Sequence, residues 1–233
     1  MRTILECSCL RLTFLILSTL LLAGCDQVSL KTLELQPIDI VAKSAGAKGS
    51  KGVCVAQADP PFSTFSAGPD QALVGFDNFY ERGSAPLPCD DFRAQVFGSA
   101  IVFDLKDFDD IVSADFLFDT QSSVQRSNGE TLGSSPPRSW ATELGMATSH
   151  ENSVEFDNAV PLPFGPSFAI GVSDQVRKWI DDSHTNLGFS INGPTGPVDN
   201  NHIPENNDAK LSWYRNFRLR IVYNPKQNPN APQ

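Results

Sequence analysis

The stretch Val-Ser-Ala-Asp-Phe-Leu-Phe-Asp at residues 112–119 has the alternation of a β-strand with one face toward a core. Successive side chains of a strand point to opposite faces, so the apolar residues at the even positions share one face, with Asp115 and Asp119 on the other. The run Ile-Val-Phe-Asp-Leu at residues 101–105 has the same period. The charged turn at 106–110 between the two runs predicts that they are antiparallel neighbours.

The sequence between residues 53 and 223 is strand-like throughout, because short alternating runs are separated by clusters of Gly, Pro, Asn and Asp. One short helix is predicted over residues 173–182, with Ser173 as its cap. Its apolar residues recur at i, i+3 and i+4, which places Trp179 in the core. Residues 120–139, rich in Ser, Gln, Gly and Pro, are predicted to form a long surface loop. The pattern indicates one all-β antiparallel sandwich domain over residues 53–223.

Several of these motifs resemble a known family. The order Val-Arg-Lys-Trp at 176–179, Asn-Leu-Gly-Phe at 186–189 and Phe-Arg-Leu-Arg-Ile-Val-Tyr at 217–223 resembles the C-terminal half of DNRLRE-type domains, which are jelly-roll modules similar to carbohydrate-binding modules. The runs at 103–105 and 112–117 look like the paired early strands of the same family. The resemblance implies a jelly-roll-like antiparallel β-sandwich and a carbohydrate as the first candidate ligand.

The N-terminal segment indicates export. An apolar run over residues 12–22 ends in Leu-Ala-Gly-Cys at 22–25, which resembles a bacterial lipobox. It predicts a signal peptide at residues 1–24, lipidation of Cys25 and a lipid-anchored protein of the cell envelope that faces the periplasm or the exterior. Asp26 resembles the residue that retains lipoproteins at the inner membrane, so that membrane is favoured.

The segments that flank the domain are polar. Residues 25–52 are predicted to be a flexible lipidated tether, with an end-to-end distance on the order of 30 Å. In an alternative interpretation, the apolar residues between 28 and 41 form an edge strand or dock on the domain. The tail at 224–233, rich in Pro, Asn and Gln, is predicted to be disordered.

The charge and the cysteines limit the partners. The chain carries 18 basic and 27 acidic residues. This acidic balance argues against binding to nucleic acid or anionic headgroups through bulk electrostatics, so membrane attachment is expected through lipid alone. Cys7 and Cys9 leave with the signal peptide, and Cys54 and Cys89 are predicted to form a disulfide in an oxidising compartment.

Catalysis finds little support in the sequence. It contains no GxSxG elbow, HExxH helix or Gly-rich phosphate loop, and His150, His184 and His202 lie in polar loop contexts. The sequence favours non-catalytic binding, with a structural or protein-interaction module of the envelope as the alternative and an envelope hydrolase third. No cofactor is expected apart from a structural calcium ion.

Two stretches contain candidate binding residues. Trp213 and Tyr214 could stack on sugar rings, and only one of the two is expected to point outward on a strand. The polar stretch before them contains amides and carboxylates that could bind sugar hydroxyls: Asp199, Asn201, His202, Glu205 and Asp208. Three of these, Asp199, Glu205 and Asp208, supply the hard oxygen ligands that calcium prefers.

The outward arginines of the last strand are predicted to have a structural role. Arg218 and Arg220 are expected to pair with Asp115 and Asp119 across neighbouring strands.

Overall fold

The computed structural model describes residues 29–51, 65–81, 90–133, 137–147, 156–162, 165–197 and 206–232. These residues form one curled antiparallel sheet of eleven strands and one short helix. The strands are β1 (Lys31–Leu35), β2 (Asp39–Lys51), β3 (Ala72–Glu81), β4 (Asp90–Val102), β5 (Ser113–Ser127), β6 (Glu130–Gly133), β7 (Glu143–Ala147), β8 (Phe156–Pro161), β9 (Ser167–Gly171), β10 (Phe189–Asn192) and β11 (Ala209–Tyr223). The helix α1 (Ser173–Asp181) follows β9, and a single 3₁₀ turn (Ser183–Thr185) follows α1.

The sheet divides into two layers along its long strands. At one end, β3 lies between β11 and β4 and pairs with both. At the other end, β11 pairs with β1 in the place of β3, and β4 pairs with β10. The sheet therefore opens into a layer with β9, β5, β11 and β1 and a layer with β2, β4, β10, β7 and β8. This architecture confirms the predicted all-β sandwich.

Gly75 lies where β3 passes between its two partners. It has φ of 122°, and a Cβ there would lie 1.9 Å from the carbonyl oxygen of Lys210. Only glycine fits this close approach of two backbones.

The core between the layers is rich in aromatic rings. Phe116 stacks on Phe189 with 4.8 Å between ring centroids, and it meets Phe103 edge to face at 5.8 Å. Trp179 of α1 packs against Phe189 at 4.7 Å and is 2% exposed. The predicted helix and the core position of Trp179 are thus confirmed.

The 112–119 stretch behaves as predicted with one exception. Ala114, Phe116 and Phe118 are buried in the core, whereas Val112 is 46% exposed because it precedes the first residue of β5. The neighbouring run at 101–105 is not paired with β5, so that prediction is wrong. β4 and β5 belong to opposite layers, and residues 103–112 cross between them.

The predicted surface loop at 120–139 is also wrong for residues 120–133, which form the end of β5, a turn and β6. β5 continues to Ser127 and pairs with β11 and β6. Asn128 and Gly129 have φ of 49° and 87°, and they form the tight turn between β5 and β6. The polar residues of β5 between 120 and 127 fit a strand because part of the surface of this strand faces solvent.

The predicted tether at 25–52 is wrong for residues 31–51, and the alternative of a docked edge strand is right. β1 pairs with β11 from Lys31 opposite Tyr223 to Leu35 opposite Leu219, and β2 pairs with β4 along its length. Leu33 and Leu35 pack against the core, which gives β1 its apolar contact.

The predicted disordered tail at 224–233 is wrong for residues 224–232. Asn228 is 2% exposed, and its side-chain oxygen accepts hydrogen bonds from the backbone N–H groups of Asp109 and Asp110. The hydroxyl of Tyr223 donates to the carbonyl oxygen of Pro232 over 2.8 Å. These contacts hold the tail against the end of the sandwich.

Candidate functional site

A cleft of about 540 Å³ lies between β7 and the junction of β9 with α1. Leu144, Met146, Ile170, Val172 and Phe189 line it with apolar groups. Ser173, Asp174, Gln175 and Lys178 from the first turns of α1 add polar atoms. A concave, mainly apolar surface with a few polar groups along one side is typical of a binding site.

The start of α1 is fixed by contacts with β5. The sequence predicted that Ser173 caps the helix, and this prediction is wrong. The Ser173 hydroxyl oxygen instead accepts a hydrogen bond from the N–H of Ala114 at 2.9 Å. Arg177 donates to the carbonyl oxygen of Val112 at 2.7 Å and pairs with Asp174 at 3.0 Å. These contacts anchor the helical wall of the cleft. Gln175 and Lys178 of the same helix line the cleft.

β9 forms one edge of its layer. Within the described part of the chain, its strand partner is β5. The N–H of Val172 donates to Ala114, and that of Thr120 donates to Pro166, so even-numbered residues from 166 to 172 bond with β5. The backbone N–H and C=O groups of Ala169 and Gly171 therefore point away from β5, toward an edge at which no other described strand pairs with β9. Gly171 also lines the cleft.

The two aromatic candidates of the sequence lie on β11. Tyr214 is 0% exposed, and its hydroxyl accepts a hydrogen bond from the N–H of Ala141 at 2.9 Å and contacts the Ser139 hydroxyl at 2.7 Å. Burial raises the pKa of Tyr214 above its ordinary value. Tyr214 is thus a core residue, and the prediction that it binds ligand is wrong.

Trp213 points to the opposite side, as expected for adjacent residues of a strand. Its indole N–H donates to the carbonyl oxygen of Ser66 at 2.9 Å, and its ring meets Phe65 edge to face at 5.8 Å. Trp213 is half-buried in a small cluster with Leu73, Phe97 and Leu211. Its ring is engaged by protein, and it does not line the cleft.

The polar candidate stretch is described only in part, because Asp199, Asn201, His202 and Glu205 lie outside the described residues. The carboxylate of Asp208 accepts a hydrogen bond from the N–H of Asn128 at 2.9 Å. No group of three or more potential metal ligands occurs among the residues that the structure describes. The calcium hypothesis stays a prediction.

The outward arginines of β11 have a different partner from the one predicted. Arg218 and Arg220 both pair with Glu34 of β1, at 3.4 and 3.0 Å. Arg220 does lie opposite Asp115 in register, but the carboxylate that bonds both guanidinium groups comes from the segment predicted to be a tether. The two arginines therefore form ion pairs within the sheet, but with a different carboxylate from the two that were predicted.

A buried charge cluster was not found from the sequence. Asp77 of β3 is 1% exposed and pairs with Arg93 at 2.8 Å and with Arg126. Two nitrogens of Arg93, Nε and Nη1, are buried without a hydrogen-bond partner. Burial is the main reason that the pKa of Arg93 lies below its ordinary value. A charged residue inside the apolar run of β3 was the only signal in the sequence.

The remaining predictions fall on residues outside the described ranges. They concern the lipidation site Cys25, the proposed disulfide between Cys54 and Cys89, and two histidines, His150 and His202. His184 lies in the 3₁₀ turn and is exposed. No helix among the described residues is long and apolar enough to cross a bilayer.

No protein-family model matches the sequence, and no curated protein matches it either.

Proposed function

We propose that the chain is an exported, lipid-anchored envelope protein whose β-sandwich is a non-catalytic binding domain, with the cleft beside α1 as its ligand site. The observation that supports this proposal most is the joining of an apolar cleft to an open strand edge at Gly171. The lipobox-like Leu-Ala-Gly-Cys at 22–25 supports the export and the anchor.

The chemistry of the cleft favours an extended segment of an envelope protein as the ligand. A strand added to β9 would bond with the outward backbone groups of Ala169 and Gly171, and its alternate side chains would enter the cleft. Ser167, Ala169 and Gly171 are small and exposed, so another backbone can approach closely. Met146 offers an adaptable apolar surface for such side chains.

A carbohydrate is the second candidate ligand. Gln175 and Lys178 beside the cleft supply hydrogen-bonding groups for sugar hydroxyls. The buried position of Tyr214 removes one half of the aromatic platform that the sequence suggested. A sugar would therefore depend on the rim of α1 rather than on stacking.

The test compares two substitutions at one edge position. The chain from residue 25 with Cys25→Ser is used in selections from a display library of short peptides and in a glycan array. Ala169→Pro removes the outward N–H while the neighbouring residues keep their bonds with β5, and Ala169→Ser retains that N–H. We expect selected peptides to lose at least tenfold in affinity with Ala169→Pro and to keep their affinity with Ala169→Ser.

The same selections decide between the two ligands. Peptides that bind both variants equally would contradict strand addition. Glycan binding that is lost with Gln175→Ala and Lys178→Ala, together with failure of the peptide selection, would favour the carbohydrate.

A further inference from the structure

We propose that the end of the sandwich that carries Leu30 and Val112 rests on the lipid bilayer, held there by a short link instead of floating on a long tether. This inference depends on the proposed lipidation of Cys25. It adds an orientation and a lipid contact surface that the anchor alone does not specify.

The link between the lipid and the folded domain is short. Only residues 26–30 separate Cys25 from Lys31, the first residue of β1. Even a fully extended backbone advances at most about 3.6 Å per residue, so Lys31 lies within about 20 Å of the modified cysteine. A tether that ended at residue 52 would have reached several times farther.

β1 cannot be detached cheaply to lengthen the link. Its five residues pair with β11, and Leu33 and Leu35 pack against the core. Glu34 bonds to both Arg218 and Arg220. Release of β1 would expose apolar surface and break this ion-pair network at the same time.

Two exposed apolar side chains lie where the link joins the sandwich, one on the last residue of the link and one on the sandwich itself. Leu30 is 48% exposed and Val112 is 46% exposed. They immediately precede β1 and β5, the two strands that flank the C-terminal end of β11, and the N–H of Val112 donates to the carbonyl oxygen of Val222. The short link therefore holds an end with apolar residues on both sides of β11 against the headgroups.

The charges at this end do not select anionic lipid. Lys31 and Lys226 lie there, but so do Asp109 and Asp110, whose backbone N–H groups bond to Asn228 of the folded tail. A mixed surface of this kind has no strong net attraction to negative headgroups. We therefore expect the contact on zwitterionic lipid, with the lipid anchor supplying the attachment.

The opposite end of the sandwich is far from the bilayer. β5 runs from Ser113, beside Val112, to Ser127, beside the turn residue Asn128. A strand of 15 residues is about 50 Å long. The cleft is closer to the anchored end, because Gly171 pairs with Asp115 near the start of β5.

The experiment measures the distance of labelled positions from the bilayer. The full lipidated chain is reconstituted in phosphatidylcholine vesicles that contain a small fraction of lipid with a nitroxide headgroup. A fluorophore is attached at Leu30→Cys, Val112→Cys or Asn128→Cys, three exposed positions, and the unsubstituted chain measures background labelling. We expect at least threefold stronger quenching at positions 30 and 112 than at position 128.

Several results would overturn the orientation. Equal quenching at positions 112 and 128 in vesicle-bound protein would show that the domain tumbles freely. Quenching at position 30 alone would show that the link, but not the end of the sandwich, reaches the bilayer. Protection at position 112 that rises with protein density and is independent of nitroxide lipid would mean that a second copy covers this end.

Failure of the anchor itself is recognised separately. A chain that does not float with the vesicles, or that floats equally well as Cys25→Ser, would contradict lipidation at Cys25. The orientation is tested only by the labels on chains that do float and that lose flotation with Cys25→Ser.

Discussion

The two halves of β5 are stabilised by different physics. In the first half, between β9 and β11, Phe116 and Phe118 are buried among other rings. In the second half, between β6 and β11, Arg126 pairs with the buried carboxylate of Asp77 and donates to the carbonyl oxygen of Asn78. The first half is stabilised by the burial of apolar rings, whereas the second half depends on the pairing of each buried charge with an opposite charge.

The largest effect is expected at the aromatic half. Phe116→Ala should lower the free energy of unfolding by about 4 kcal/mol, because it removes a ring at 0% exposure and leaves a cavity between Phe189 and Phe217. Urea unfolding monitored by circular dichroism measures the loss. Phe116→Leu is the matched control and should cost well under half as much, and equal losses would contradict a packed ring at this position.

The charged half should respond strongly to loss of its single carboxylate. Asp77→Ala should cost about 3 kcal/mol, because it leaves the guanidinium groups of Arg93 and Arg126 facing each other without the anion. The same urea experiment measures the loss.

The matched control removes a cation from the same cluster. Arg126→Met leaves the ion pair of Asp77 with Arg93 intact and should cost less than Asp77→Ala. Asp77→Leu combined with Arg93→Met and Arg126→Met should recover most of the lost stability. No recovery in the triple variant would mean that the cluster does more than neutralise its own charges.

The contrast between the halves also explains what the sequence could predict. The strand at 112–119 was readable because apolar residues at every second position are a local signal, and the helix was readable from the spacing of Val176 and Trp179. The second half of β5 lacks that signal. Its strand character depends on pairing with β11, about 85 residues later in the chain.

The site was less predictable than the fold. The cleft combines β7 with α1, and no motif in either segment indicates that they meet. Trp213 and Tyr214 were correctly placed on opposite faces, but composition could not tell that Phe65 covers one and the core encloses the other. The sequence indicated docking of β1 only as an alternative to a flexible tether, because its alternating apolar residues lie within a polar segment.

A smaller effect is expected at the junction of the two halves, where Tyr214 lies opposite Thr120. Tyr214→Phe should cost about 1 kcal/mol at pH 7, because the N–H of Ala141 loses its buried acceptor. Burial holds the pKa of Tyr214 above its ordinary value of about 10, so the unfolded chain ionises first. Stability of the unsubstituted protein should therefore fall as the pH rises above about 10.

Urea unfolding between pH 7 and 11 checks this prediction. The stability difference between the unsubstituted protein and Tyr214→Phe should shrink as the pH rises. Ser139→Ala, which removes only the hydroxyl partner, is the control and should retain the alkaline decline. A constant difference would contradict a buried neutral hydroxyl.

The smallest effect is expected one residue earlier on β5, at Asp119. The side-chain amide of Asn216 donates to its carboxylate at 2.9 Å, and this bond is the main reason that the pKa of Asp119 lies below its ordinary value. The resulting stability is present above about pH 4 and is lost as the pH falls through the lowered pKa. Asn216 has φ of 57°, so Asn216→Gly deletes the amide without straining the backbone. Because the pair is exposed, the variant should lose only about 0.5 kcal/mol of unfolding free energy at pH 7 and less at pH 2, measured by urea unfolding.

Asp119→Asn is the second variant, and its free energy of unfolding should likewise fall less between pH 7 and pH 2 than that of the unsubstituted protein. If the fall in stability toward pH 2 is unchanged in both variants, other carboxylates cause the pH sensitivity of this junction.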